Sequence, residues 1–345
     1  MKPLLALFLL AGLASAADLP KVPKPKPTKP DEATAKTWSA AKAAEDLDGV
    51  GVNWTRDRQC VTCHTNMPYL FARPLLKDAP DDGWKEVRKF LEDDVTSWSN
   101  GGKPKGDAYV VATAAALAVS DARTTGELHP ATKAALDRMW TVQRKAGDWN
   151  WLKCEWPPLE HDDYYGAVLA AVAVAEAPGK YAETDKAKAG IKSLQAYFAN
   201  TASPDLHHSA WLLWAAAKVD GLMTAGQKTD AVADLKKTQH KDGGWCLPSL
   251  GKYNRRDEKK TPNDPAADSD GYATGLAVFA LRQSGVSADD PAVAAGVTWL
   301  KANQRESGRW YTRSLNNDKA HYIANAGTAL AVMALESCGE KPAAK

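Results

Sequence analysis

The stretch "WLKANQRESGRWY", residues 299–311, decides how this chain folds. A helical run ends near Leu300, Gln304 follows, a short polar segment reaches Gly308, and Trp310 comes next. The same order recurs in "MWTVQRKAGDWNW", residues 139–151, with Gln143, Gly147 and Trp149. It recurs again in "LKKTQHKDGGW", residues 235–245, with Gln239, Gly243 and Trp245. A weaker copy, "IKSLQAYFANTASPDLHHSAW", carries Gln195 and Trp211. Self-similarity of this kind marks a repeat architecture, in which each unit buries its apolar face on the next.

Each copy precedes an Ala-rich apolar segment, and the apolar segments of the chain are 109–119, 165–175, 210–219, 272–281 and 322–335. No run alternates with a period of two, so strands are expected to be rare. The unit is a polar-faced helix, a turn and an apolar helix. The spacing predicts pairs near 84–97/107–119, 132–144/164–176, 186–199/207–218, 227–240/271–284 and 290–304/322–336, with a sixth at 33–46/65–77. Six such pairs make an all-α closed double ring, an (α/α)6 toroid, with the Ala-rich helices inside because small side chains allow close approach. Gln is suited to capping helix ends, and Trp to filling the gap between outer helices.

The 345 residues are 44% apolar and 25% charged, an ordinary globular composition. With 44 basic and 42 acidic residues the net charge is +2, which leaves no electrostatic footprint for nucleic acid. Residues 1–16, "MKPLLALFLLAGLASA", read as a signal peptide: Lys2, an apolar run, then Ala14-Ser15-Ala16 as the cleavage site. The run is too short to span a bilayer, and no later segment would span one. A periplasmic or secreted protein is expected. Residues 17–32, rich in Pro and Lys, read as an extended, unpacked tether, 33–338 as the toroid, and 339–345 as a tail.

Cys60-Val61-Thr62-Cys63-His64 has the spacing that attaches haem c. The two thiols form thioethers to the haem vinyl groups, and the adjacent His ligates the iron. A zinc site built on the same three residues, or a dithiol–disulfide pair, are the alternatives. The starts of the apolar helices carry a His or Asp with an aromatic close behind, at His64, Asp107, His161, His207-His208, Asp270 and His321. In a closed ring equivalent starts share one rim, so five of the seven histidines are expected at one mouth. His321 is the first candidate for a second iron ligand, with His161, His207 and His208 as alternatives. Cys154 and Cys246 follow Trp151 and Trp245 at equivalent turns and are a candidate disulfide. The polar insertion 247–272, with Arg255, Arg256, Lys259 and Lys260, is expected to overhang that rim, and Arg309, Arg313 and Lys319 are candidates for pairing with haem propionates or an anionic substrate.

The Gln…Gly…Trp copies resemble the QW repeat of squalene–hopene cyclases, and the expected ring is similar to the α/α toroid of those cyclases and of protein prenyltransferase β-subunits. The resemblance covers roughly residues 84–338. The strings "CVTCHTNMPY", "WPPLEHDDYYGA", "LPSLGKY" and "SLNNDKAHYIANAGTA" also resemble exported bacterial, planctomycete-type squalene-cyclase-like proteins. The cyclases initiate with Asp-x-Asp-Asp-Thr-Ala. The matching string here is Glu160-His161-Asp162-Asp163-Tyr164, which departs at its first residue and after its last Asp. By that resemblance Asp162 is the candidate proton donor, with Asp163 beside it, and an isoprenoid a candidate ligand. The bare reading of Asp162 and Asp163 is that they cap a helix. Three functions follow: haem redox chemistry with a small ligand or redox partner, terpene-cyclase-like chemistry through Asp162, or a non-catalytic binding module.

Overall fold

A computed structural model describes residues 21–77, 81–153, 157–253, 255 and 263–340. The expected signal peptide and the last five residues lie outside these. The described residues contain thirteen α-helices and no strand beyond a single bridge between Thr34 and Arg305. They are α1 Ala40–Arg58, α2 Asn66–Ala72, α3 Asp82–Ser99, α4 Asp107–Arg123, α5 Pro130–Thr141, α6 Asp163–Glu176, α7 Asp185–Asn200, α8 Leu206–Ala216, α9 Ala225–Lys237, α10 Leu247–Leu250, α11 Gly271–Gln283, α12 Pro291–Asn303 and α13 Ile323–Ser337.

Helices α2, α4, α6, α8, α11 and α13 pack each on the next, and α13 returns to α2. Helices α1, α3, α5, α7, α9 and α12 lie outside them, and α5, α9 and α12 pack mainly on the inner helix that precedes each, α4, α8 and α11. The fold is the (α/α)6 toroid. Inner helices are apolar on every side: in α4 all residues from Ala108 to Asp121 are buried. Outer helices bury one stripe; in α7 that stripe is Ala187, Gly190, Leu194 and Phe198.

The repeat residues do the same work three times. Gln143 Nε2 donates to Gly147 O at 2.9 Å and Gly190 O at 3.2 Å. Gln239 Nε2 donates to Gly243 O and Ala292 O, both at 2.8 Å. Gln304 Nε2 donates to Gly308 O at 2.8 Å and Ser39 O at 2.9 Å. Each Gln therefore ties its own turn to the next outer helix. Each Trp indole donates back to the helix just ended, Trp149 to Met139 O, Trp245 to Leu235 O and Trp310 to Leu300 O. The third copy closes the ring, because Ser39 caps α1. Closure is reinforced by a buried ion pair, Arg309 to Asp46 at 2.6 Å.

Three expectations are corrected. The first outer helix runs 40–58, later and longer than 33–46, because Ser39 is its N-cap and residues 33–35 bond instead to the last repeat, as in Ala35 N to Gln304 O at 2.7 Å. The Pro/Lys segment is extended but packed where it is described: Pro23 O accepts from Asn53, Thr28 Oγ1 accepts from Arg309, and Glu32 O accepts from Arg305. Trp211 is not a turn Trp. It sits inside α8, and its indole donates to Tyr272 Oη at 3.2 Å.

The bore of the ring is filled. Phe71 of α2 meets Trp214 of α8 at 5.6 Å between ring centres, and Trp214 meets Phe279 of α11 at 5.0 Å. All three are buried. This leaves the rim where the inner helices begin as the place for chemistry.

Candidate functional site at the ring mouth

Residues Gln59 to Thr65 wrap from the end of α1 into α2. Gln59, in the left-handed region at φ 47°, ends α1, and Asn66 pins the turn by donating to Cys60 O and accepting from Thr62 N. Cys60 is half-buried and Cys63 buried, and the two are not joined to each other. The His64 imidazole packs edge-on against Trp54, with ring centres 4.9 Å apart, and stacks on Tyr322 at 5.5 Å. Its Nδ1 is held by Thr65 Oγ1 at 2.8 Å, and that hydroxyl also accepts from Asn325 at 3.1 Å. Its Nε2 has no hydrogen-bond partner among the described residues. Burial lowers its pKa to about 4, so the ring is neutral.

His64 lines a small cleft of about 30 Å³ with Pro157, Leu159, Glu160, Tyr322 and Ile323. That is room for about one water, well below an ordinary ligand pocket. Donor type, spacing and an unengaged Nε2 on a neutral imidazole fit a tethered haem. The zinc alternative needs donor atoms that converge. Among the described residues the only group of three or more His, Cys, Asp and Glu side chains whose ligand atoms all lie within 4.8 Å is Asp205, His207 and His208, so Cys60, Cys63 and His64 do not converge.

The other predicted residues sort themselves plainly. His321 does not line the cleft; its Nδ1 accepts from Ser314 N at 3.1 Å and its ring meets Tyr311. Its neighbour Tyr322 covers His64 instead, because consecutive side chains at a helix start point apart. His161 lies edge-on to Tyr253. Asp163 accepts from Trp151 N and pairs with Arg144 at 2.8 Å, fixing the loop before α6. Cys154, Arg256, Lys259 and Lys260 lie outside the described residues. Cys246 is not in a disulfide; its thiol donates to Pro265 O. Arg255 is buried against Ser314 O and Asp318, Arg309 pairs with Asp46, Arg313 pairs with Asp318, and Lys319 donates its backbone N–H to Asn317.

A second cluster lies on the same rim. Asp162 caps α6 by accepting from Tyr165 N, and its carboxylate also meets His208 Nε2 at 3.0 Å. Asp205 caps α8 and meets His208 Nδ1 at 2.6 Å. Tyr253, from the insertion expected to overhang the rim, donates to Asp205 at 3.0 Å. His207 is sandwiched between Tyr165 and Tyr272, its Nε2 2.8 Å from Tyr272 Oη. Burial would lower the pKa of His208, but its bonds to Asp162 and Asp205 outweigh that and lift it to about 9. Burial raises Asp162, yet His208 outweighs it and holds Asp162 below the usual carboxylate range. Asp162 is thus a carboxylate at neutral pH, whereas protonating an alkene requires its acid form. Burial and the His208 charge bring His207 down to about 3. The helix-start alignment found the histidines and aromatics but missed Asp205, whose signal was its position as a cap three residues before His208.

A pH dependence follows. His208 is raised from 6.5 to about 9, so its clamp contributes fully below pH 6.5 and is lost as pH rises through 9. In buffer containing a chelator, thermal stability should fall across that window, by about 3 kcal/mol at most. Asp162→Asn should flatten the profile. An unchanged slope in that variant contradicts the assignment.

Comparison with known proteins bears on the scaffold. A family model for the squalene-hopene cyclase C-terminal domain matches residues 212–322. That match covers only part of the chain, and it lies within the α/α toroid. A polysaccharide lyase superposes with a TM-score of 0.52 at 11% identity, over 86% of this chain and 96% of that one. A GH76A alpha-1,6-mannanase from Salegentibacter sp. HEL1_6 gives 0.50 at 12% identity, over 87% and 100%. At such identity the likeness is one of fold alone. No curated protein matches the sequence. No helix among the described residues is long and apolar enough to cross a membrane.

Proposed function

We propose that this chain is an exported c-type haem protein in which the toroid carries the haem at one rim, for electron transfer or redox chemistry on a small ligand. One observation carries the reading: Cys60, Cys63 and His64 share one turn entering α2, yet their donor atoms do not converge. Zinc would require convergence; a haem held by thioether links to Cys60 and Cys63 and ligated by His64 would not. When bound, haem supplies one-electron exchange at its iron.

The chain's own residues prepare that site. Asn325 and Thr65 fix the His64 ring through Nδ1, the arrangement that orients a metal-binding imidazole. Trp54 and Tyr322 pack against two faces of the half-buried ring, and its partial burial favours the neutral form that ligates. Leu159 and Ile323 provide an apolar wall, and burial raises the pKa of Glu160 beside them. The signal-like residues 1–16 support export to a compartment where haem c is made. The filled bore speaks against an isoprenoid folding inside the ring.

Replacing both Cys60 and Cys63 by Ser should remove covalent haem from the chain while leaving its helical content intact. Intact-protein mass spectrometry, with and without the substitutions, after expression alongside a haem c maturation system, checks this. Equal masses, corrected for the two substitutions, contradict the proposal.

A further inference from the structure

We propose that Asp205, His207 and His208 form a divalent metal site of zinc type on the toroid rim, separate from the cysteine turn. One ligand atom from each of the three lies within 4.8 Å of the others. Two observations beyond that clustering point to a ligand. His207 is fully buried, and its Nδ1 has no hydrogen-bond partner among the described residues. A buried, unsatisfied imidazole nitrogen is costly unless something occupies it. Furthermore, the groups that conventionally stand behind metal ligands are already in place. Tyr272 Oη holds His207 Nε2 at 2.8 Å, Asp162 holds His208 Nε2 at 3.0 Å, and Tyr253 donates to Asp205 Oδ2 at 3.0 Å. A carboxylate behind a ligating histidine is the recurring outer arrangement of zinc sites.

The ligands are then His207 Nδ1, His208 Nδ1 and Asp205 Oδ1. In the chain as it stands, His208 Nδ1 and Asp205 Oδ1 share a proton contact of 2.6 Å. Bond lengths of about 2.0–2.1 Å at a tetrahedral angle place ligand atoms about 3.3 Å apart. The pair therefore parts by less than about 1 Å as the cation enters, the Nδ1 proton leaves to solvent, and the Asp162 bond is kept. Three protein ligands with a fourth position for water is the pattern of a reactive zinc rather than a closed structural one. The site does not depend on haem.

The mature full-length chain, stripped with a chelator and dialysed against micromolar Zn²⁺, tests this by plasma emission analysis. One zinc per chain is expected, lost in His207→Gln and retained in the Cys60→Ser/Cys63→Ser variant. No bound zinc overturns the proposal, as does zinc that follows the cysteines instead. Circular dichroism reports whether His207→Gln folds. If it does not, ¹¹³Cd NMR of the unaltered chain decides: a resonance in the nitrogen/oxygen region supports the site, and one in the thiolate region, or none, overturns it.

Discussion

Gly308→Ala should destabilise the protein by about 4 kcal/mol or more, an effect reserved for severe local conflicts. Gly308 has φ 97°, which L side chains rarely adopt. An added Cβ would also overlap the Lys42 carbonyl of α1. That carbonyl belongs to backbone and has nowhere to retreat, because α1 meets the last repeat there and Gln304 bridges the same seam to Ser39. The ring would have to open where its first and last units join. Gly285 gives the control. Its φ is 83°, but nothing lies within 4 Å of its missing Cβ. Gly285→Ala should therefore cost only the backbone strain, about 1–2 kcal/mol. Urea unfolding of the two variants separates close approach from strain, and equal losses would contradict the seam as the sensitive point.

Arg309→Met should cost about 3–5 kcal/mol, because it leaves a buried carboxylate without its counter-ion. Arg309 and Asp46 are both nearly inaccessible, and the guanidinium reaches Asp46 Oδ1 through Nε at 3.0 Å and Nη2 at 2.6 Å. Its Nη1 also holds Thr28, so the same substitution should loosen the N-terminal segment lying across α1. Arg309→Met combined with Asp46→Leu should recover much of the loss, since a buried pair is often replaceable by packed apolar groups. Denaturant melts of the single and double variants form the cycle. A double variant as unstable as the sum of the singles would mean that the two residues do not act as a pair.

The toroid was legible because its repeat has a mechanical basis. Gln304, Gly308 and Trp310 each make a contact that only that residue type makes well, and the same three contacts recur at 143/147/149 and 239/243/245. Pattern alone misled where a residue type serves two purposes. Trp211 follows Gln195 by sixteen residues, against six in the other copies, and an inner helix uses it to reach Tyr272. The Pro/Lys segment has the composition of a free tether, yet its backbone carbonyls and Thr28 meet donors on α1 and the last repeat. Composition carries no information about such distant partners.

The site was legible in part for a similar reason. Helix starts of a ring share a rim, so aligning them gathered His64, Asp162, His207 and His208. Which of these touch depends on side-chain direction. His321 and Tyr322 are adjacent in sequence, but only Tyr322 stacks on His64. Asp205 went unseen because a cap looks alike in sequence whether or not its carboxylate also binds a neighbouring imidazole.

The most direct test of haem at the rim is a pyridine haemochrome spectrum of the mature protein, denatured, after expression with a haem c maturation system. A c-type band that survives acid–acetone extraction, and is absent from the Cys60→Ser/Cys63→Ser variant, is the predicted result. Protein that folds and exports but shows no such band would contradict the central claim.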